Sequence, residues 1–453
     1  MTGILVALAF AVFAGLASSV RGAEVPRPYL QFVEQHVTVE FATVDAAMKA
    51  TFSVPPVFED LRVAVCNRWD DNAGAAIGRT GKRVSAMGMK GTFFLNGETR
   101  PDRLAGFREM ARAAVETGHA VGNHCMTHPV LATQNANRQF EEMARARVCI
   151  EQYSDSYVNA VAWPFLNAGG SRYLPNDGGM ESVAEGMFRS GHLGHAQSYG
   201  LSVDGQDIVP KIGKQFGTGE PQTVAQIEEV VAQLLAKGGE PSIYVMNIHP
   251  ARYTDKEFEM RVEVPRVPDL WHCTFNQYCA YRVQCSETKI RTNRTERKVE
   301  LRLTRPAMLD LNDAQPITLK IEGCAATDVT GVTALGAFSE RVDRDGPYMF
   351  NLWHTQDQAL PTDIGAVYNE TNASDLLSDP DFPALEGVAF IEEGELRWRL
   401  KNTGDADLTN VRLTFRLPLA FERGVIWETV EDLAAGKECG GVLELPGLAK
   451  DPT

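Results

Sequence analysis

His124 and His128, in the stretch Gly122-Asn123-His124-Cys125-Met126-Thr127-His128-Pro129, can both turn a ring nitrogen toward one point. That is what a divalent metal asks of its first two protein ligands. A third ligand must come from elsewhere in the chain. The best source is Arg68-Trp69-Asp70-Asp71-Asn72, where two adjacent carboxylates follow the apolar run Leu61-Arg62-Val63-Ala64-Val65. One of the pair can bind an ion while its neighbour takes a proton. Either pattern alone reads more simply, as surface loop histidines and as a turn signal, because His-x-x-x-His is short and common. Occurring together, each just after an apolar run, they predict a metal site.

The elements that must position these residues alternate. Between about residues 59 and 250, Leu61 to Val65, Thr92 to Leu95, His119 to Gly122, Val158 to Ala162 and Ile243 to Ile248 are apolar runs of strand length. Helical stripes lie between them. In Arg103 to Thr117 the residues Leu104, Phe107, Ala111, Ala114 and Val115 share one face, with Gly118 as a stop. A later helix opens at Thr223 with Gln226 three residues on, a capping box, and ends at Gly238-Gly239. Repeated βα units predict a mainly parallel sheet covered by helices, closed as a barrel or open. Asp70 and Asp71, His124, Pro164-Phe165 and His249 each fall just after a predicted strand. In a parallel α/β barrel such positions gather at one rim, where active sites are built.

Composition sets the frame. A chain of 453 residues makes about two to four domains. With 59 acidic against 44 basic side chains and a formal charge of −15, nucleic acid and anionic membrane surfaces are excluded as expected partners, and a neutral or cationic polymer fits better. Ile4 to Ala17 is almost unbroken apolar and small residues, followed by Ser18-Ser19-Val20-Arg21-Gly22-Ala23. This reads as a secretory signal peptide, so a secreted, periplasmic or cell-surface protein is expected, with no integral membrane segment after cleavage. The cysteines at 66, 125, 149, 273, 279, 285, 324 and 439 are compatible with disulfides in an oxidising compartment. Cys273, Cys279 and Cys285 lack zinc-type spacing and predict one local disulfide or buried thiols, and Cys125 is expected to face away from the histidines as a small core residue.

Over roughly residues 58 to 285 these motifs resemble the polysaccharide deacetylases with a NodB homology domain. Arg68-Trp69-Asp70-Asp71-Asn72 resembles the family's Thr-Phe-Asp-Asp-Gly, and Gly91-Thr92-Phe93-Phe94-Leu95-Asn96-Gly97 its second strand. Gly118 to Pro129 is close to its Gly-His-Glu-Ile-Gly-Asn-His-Ser-x-x-His-Pro signature, Trp163-Pro164-Phe165 to its third motif, and Asn247-Ile248-His249 to its Leu-x-His. The resemblance implies an α/β fold, a distorted (β/α) barrel of the NodB type, that removes acetyl groups from N-acetylated, or sometimes O-acetylated, polysaccharides or oligosaccharides. Carried over, Asp71, His124 and His128 hold one divalent metal ion, Zn by preference with Ni, Co or Mn also suited. Asp70 is the general base, His249 the general acid, and the backbone N–H of Phe165 holds the oxyanion, with Trp163 and Asn247 at the substrate. The sequence departs from the family at Ala162-Trp163, where an arginine that orients the base is usual, and at Asn247, where leucine lines the acetyl pocket. The fourth motif is reduced to Asp204-Gly205-Gln206-Asp207 or Lys211.

The remaining histidines have plainer readings. His119 is expected to pack beside the third strand, and His192 and His195 to be solvated loop residues. Asn276 and Tyr278 are expected on the helix that closes the barrel, with Trp271 and Tyr281 in the core. After about residue 290 the period drops to two: Val299, Leu301 and Leu303, then Ile317, Leu319 and Ile321, then Leu396, Trp398 and Leu400, then Val411, Leu413 and Phe415. One or two small β-sandwich modules are predicted, with Trp398 in a core. The expected divisions are a signal peptide at 1–23, an N-terminal extension at 24–57, the barrel at 58–290, a β-rich module at 291–368, a linker at 369–383 and a second sandwich-like module at 384–453. A secreted metal-dependent hydrolase is the expected function. The alternative is a non-catalytic carbohydrate-binding or cell-surface protein that keeps a deacetylase-like barrel.

Overall fold

Eight residues in a row, Val63–Asp70, are buried and form the central strand of an eight-stranded sheet. Neighbouring strands lie in the order Lys214–Phe216, Ser242–Met246, Val63–Asp70, Gly91–Leu95, Ala120–Asn123, Ala160–Val161 and Gly194–His195, every pairing parallel. Leu270–Cys273 pairs with the first half of the central strand. This is the distorted (β/α) barrel, in a computed structural model that describes residues 30, 32–98, 100–134, 136–154, 156–166, 179–196, 202–203, 206–207, 214–216, 222–238, 241–246, 249–252, 255–306, 316–353, 385–392, 395–405, 407–416 and 425–445. The central strand outruns its apolar stretch. Arg68 and Asp70 therefore lie within it rather than after it, because the ladder to Gly91–Leu95 continues through Asp70 and the two charged side chains satisfy each other.

The two faces of the sheet carry different layers. Val63, Val65 and Trp69 meet residues of the helices Ala76–Ala86, Pro101–Glu116, Ala136–Ser154 and Val224–Lys237 in the largest core cluster. Ala64 and Cys66, on the alternate face, pack with Ala160, Ala162 and Ala196 against Phe275, Tyr278, Cys279 and Tyr281 of the helix Phe275–Glu287. Small side chains on that face let the helix approach closely, as the reading of Asn276 and Tyr278 requires. The Thr223–Gln226 capping box and the left-handed Gly238 stop are both present.

Two antiparallel sheets enclose a separate core, and the N-terminal stretch supplies a strand to each. Phe32–Phe41 pairs with Lys298–Pro306 and Val329–Ala334, and Thr51–Ser53 pairs with Ile317–Glu322. Residues 32–53, expected as an extension, thus give the sandwich two strands, Phe32–Phe41 and Thr51–Ser53, joined by the short helix Val44–Lys49. The physical reason is their own alternation, with Val37, Val39 and Phe41 buried against Val299, Leu301, Leu319 and Ile321. The sandwich is bolted to the barrel through buried Arg305, which donates to Gln35 Oε1 at 3.0 Å and to Gln284 of the closing helix. Tyr281 Oη donates to the Pro55 carbonyl at 3.0 Å. Further on, Leu385–Glu392, Glu395–Asn402, Leu408–Arg416, Val425–Leu433 and Glu438–Glu444 form two small sheets around Trp398, Leu400, Leu413 and Phe415. The expected linker at 369–383 lies outside the described residues. All eight cysteines are thiols, Cys125 among the buried ones. Among the described residues no helix is long and apolar enough to cross a membrane.

Candidate metal centre

Asp70 ends its strand, and Asp71 steps out of it at φ 72° with its N–H on the Phe94 carbonyl at 3.0 Å. His124 follows Ala120–Asn123 and donates its own N–H to the Leu95 carbonyl at 2.8 Å. Asn96 ties the two loops together. Its amide donates to the His124 carbonyl at 2.6 Å, and its backbone N–H and carbonyl exchange hydrogen bonds with the Asn72 side chain, 3.1 Å each. Between the histidines, Asn123 Oδ1 accepts from the Cys125 N–H at 2.7 Å. Glu142, buried on the helix Ala136–Ser154, accepts from the Thr127 N–H and hydroxyl at 2.7 Å each. Asp71, Cys125, His128 and Phe165 all hold positive φ, at about 1–3 kcal/mol apiece for non-glycine residues. Strain gathered at one place is held there by these surrounding bonds.

Asp71 Oδ1 lies 3.5 Å from His124 Nε2 and 3.3 Å from His128 Nε2, and the three ligand atoms fall within 4.8 Å of one another. Two ligands about 2.1 Å from a tetrahedral ion stand about 3.4 Å apart, so this set fits a divalent metal. His124 Nδ1–H points at the Ala162 carbonyl, which leaves the Nε2 lone pair for a metal. Burial pushes the His124 pKa below its ordinary value, which favours the neutral ligand form. For Asp71, burial works upward, but the hydrogen bond from His128 and the nearby histidines outweigh it and hold the carboxyl below its usual range. Asp70 is lowered as well: burial opposes ionisation, and the charge of Arg68 with that of His124 overcomes it. His249 Nε2 approaches the other oxygen of Asp71, Oδ2, at 3.3 Å and keeps an exposed side.

Asp70, Asp71, His124, His128 and His249 therefore converge, and Phe165 joins them with its ring 4.7 Å from that of His128, edge to face. Trp163 does not. It is fully buried, stacked on His195 at 4.9 Å, in a cluster with Val161, Met143 and Met187. Trp163 shares the Val161 cluster and has no exposed surface to offer a substrate. Asn247, Asp204 and Lys211 lie outside the described residues. His192 and His195 correct the loop reading, since both are buried. His192 sits 2.8 Å from Ser190 Oγ and 3.0 Å from Asn123 Nδ2, and burial drives its pKa well down. His119 packs as expected, receiving the Gly91 N–H at 3.1 Å. Glu142, Asn96 and Arg68 are the contributors that motif reading passed over. Arg68 lay in plain view two residues before Asp70, and both its Nε and Nη2 reach that carboxylate, at 2.7 and 2.6 Å.

A mainly parallel barrel with an Asp-His-His cluster at the ends of its strands defines the class, an α/β domain with a candidate metal site. Residues 68–172 match the family model described as polysaccharide deacetylase. Among solved structures, a CE4 family pseudoenzyme from Bacillus anthracis is 16% identical, with 48% of this chain and 65% of that one covered at a TM-score of 0.33. A family 4 carbohydrate esterase from Streptomyces lividans, in complex with acetate, is 12% identical over 47% of this chain and 92% of its own, TM-score 0.31. The peptidoglycan deacetylase PdaC from Bacillus subtilis is 14% identical over 50% and 92%, TM-score 0.30. This chain thus spans about two thirds of the pseudoenzyme's length. No curated protein matches the chain.

Proposed function

We propose that this protein is a metal-dependent hydrolase that removes acetyl groups from an acetylated polysaccharide or oligosaccharide. The observation that carries the reading is Asp71, with one oxygen facing His124 and His128 and the other facing His249. Asp71, His124 and His128 would hold a divalent ion, zinc being the natural choice for this donor set with Ni, Co or Mn also suited. Such an ion supplies Lewis-acid chemistry, acidifying water and polarising an acyl carbonyl.

The protein's own groups do the rest. Asp70, ionised and buried beside the cluster, takes the proton of the attacking water at a carboxylate oxygen. His249, reachable from solvent, holds a proton at Nε2 and passes it to the leaving nitrogen, since an amine departs poorly unless protonated. Phe165, at φ 58°, offers its backbone N–H to the developing oxyanion, and its half-exposed ring gives the sugar an apolar face beside His128. The apolar run at Ile4 to Ala17 supports export as part of the same proposal, and sequencing the N-terminus of protein recovered outside the cytoplasm tests it.

Acetate release from chitin oligomers, peptidoglycan, poly-N-acetylglucosamine and acetylxylan tests the activity. Release from at least one substrate, abolished together with bound metal in Asp71→Ala, is expected. Metal binding without release from any of the four would leave a carbohydrate-binding barrel in place of an enzyme.

A further inference from the structure

Period-two alternation along Val63–Asp70 puts Arg68 and Asp70 on the same face as Ala64 and Cys66, toward the closing helix. Arg68 has no exposed surface. Its Nε donates to Asp70 Oδ1 at 2.7 Å and its Nη2 to Oδ2 at 2.6 Å. Its Nη1 reaches across the concave side of the sheet to the Ala196 carbonyl, next to the strand Gly194–His195, at 2.6 Å. The Phe94 ring, 5.6 Å from Arg68 Cζ, packs beside the fork.

Stability gives no reason for such a pair. Two charges taken out of water recover their desolvation only with excellent geometry, and apolar replacements often serve as well. A planar fork does fix one thing that an apolar pair cannot, the plane of a carboxylate. A carboxylate has about four lone-pair sites, and Arg68 uses one on each oxygen. Of the two oxygens, Oδ2 is on the metal-site side, 4.0 Å from His124 Nε2.

Resting on the hydrolase reading, we infer that Arg68 is the positioning residue for Asp70. It locks the carboxylate plane so that Oδ2 faces the Asp71, His124 and His128 cluster, and its third arm ties that alignment to the far side of the sheet. The orienting arginine thus comes from the strand that carries the base, while Ala162 accepts the His124 ring N–H at its carbonyl.

The test is a double-mutant cycle on full-length protein, with kcat and KM for acetate release from chitin oligomers and acetylxylan and with metal content by elemental analysis. Arg68→Lys keeps the charge and loses the fork. It should lower kcat by about 10²-fold, the scale of a misplaced reacting group, while metal content stays unchanged. In an Asp70→Asn background the same substitution should change kcat by no more than about twofold, since the group it positions is gone. The pair Arg68→Met with Asp70→Asn, uncharged on both sides, should fold and match Asp70→Asn alone. Equal losses from Arg68→Lys in both backgrounds would mark a merely structural role and overturn the inference, as would full kcat in Arg68→Lys. A wild-type protein that releases no acetate from any substrate overturns the hydrolase reading and this inference together. An active wild type with an indifferent Arg68→Lys overturns the inference alone.

Discussion

Glu142 offers the sharpest handle on how the histidine loop is held. Its side chain is 1% exposed and accepts from the Thr127 N–H, the Thr127 hydroxyl and Arg138 Nη2, each at 2.7 Å. Removing it in Glu142→Ala frees three donors of unequal cost. Arg138 is 41% exposed and keeps Glu141 at 3.5 Å, so losing this exposed pair costs almost nothing. The Thr127 hydroxyl rotates to solvent, since that residue is exposed. What remains is the charge-assisted bond to the backbone N–H, worth about 2 kcal/mol, lost at the residue just before His128. If that ordering must be supplied when a metal binds, affinity falls by about 30-fold, at 1.4 kcal/mol per tenfold, within the range found for groups that brace metal ligands. Chelator competition with zinc measures it, with the thermal midpoint followed in parallel. Glu142→Gln, which can still accept from the Thr127 N–H, should fall between Ala and wild type. A Glu142→Ala protein that binds zinc within about twofold of wild type would refute this account of the loop.

Two further predictions concern stability. Shortening the chain to residue 290 removes both ladder partners of Phe32–Phe41 and the partner of Thr51–Ser53, so it should yield insoluble protein, whereas a chain ending at residue 353 should stay soluble and retain metal binding. Soluble protein ending at 290, with an unchanged melting profile, would contradict the shared sandwich. His272 has both ring nitrogens buried without a hydrogen-bond partner among the described residues, and burial depresses its pKa from 6.5 to about 4. Between those values the unfolded chain binds the proton and the folded one does not. Stability should therefore be complete above about pH 6.5 and fall as the pH drops toward 4, by up to about 3 kcal/mol at 1.36 kcal/mol per unit. Denaturation midpoints across that range should flatten in His272→Leu, and an identical slope in both proteins would assign the effect to other groups.

What could be read in the sequence was whatever depends on neighbours in the chain. The capping box at Thr223, the stop at Gly118 and the Asp-His-His set follow from spacings of a few residues. So does the burial of Trp398, which falls on one face of a period-two run. The misses came where a distant partner decides the outcome. Val37, Val39 and Phe41 carried the alternation of a strand from the start, but the strands that cover them lie at 298–306 and 329–334, and no local spacing announces a ladder across the whole barrel. His192 and His195 follow a glycine, which suggests a loop, yet Asn123, Ser190 and Trp163 close over them.

Arg68 shows the same limit from the other side. Read as a motif, it occupies a position where threonine is usual, and the eye looks for an arginine at 162. Read as a strand, residues 64, 66, 68 and 70 share a face, and an arginine two places before a buried aspartate has one obvious partner. The strand's length was the missing fact: an apolar run that stops at Val65 leaves Arg68 in a loop, where its charge means nothing in particular. Once the ladder to Gly91–Leu95 carries the strand through Asp70, the alternation alone brings the guanidinium to the carboxylate. A buried arginine that the motif does not call for is then the residue whose substitution says most about how this site works.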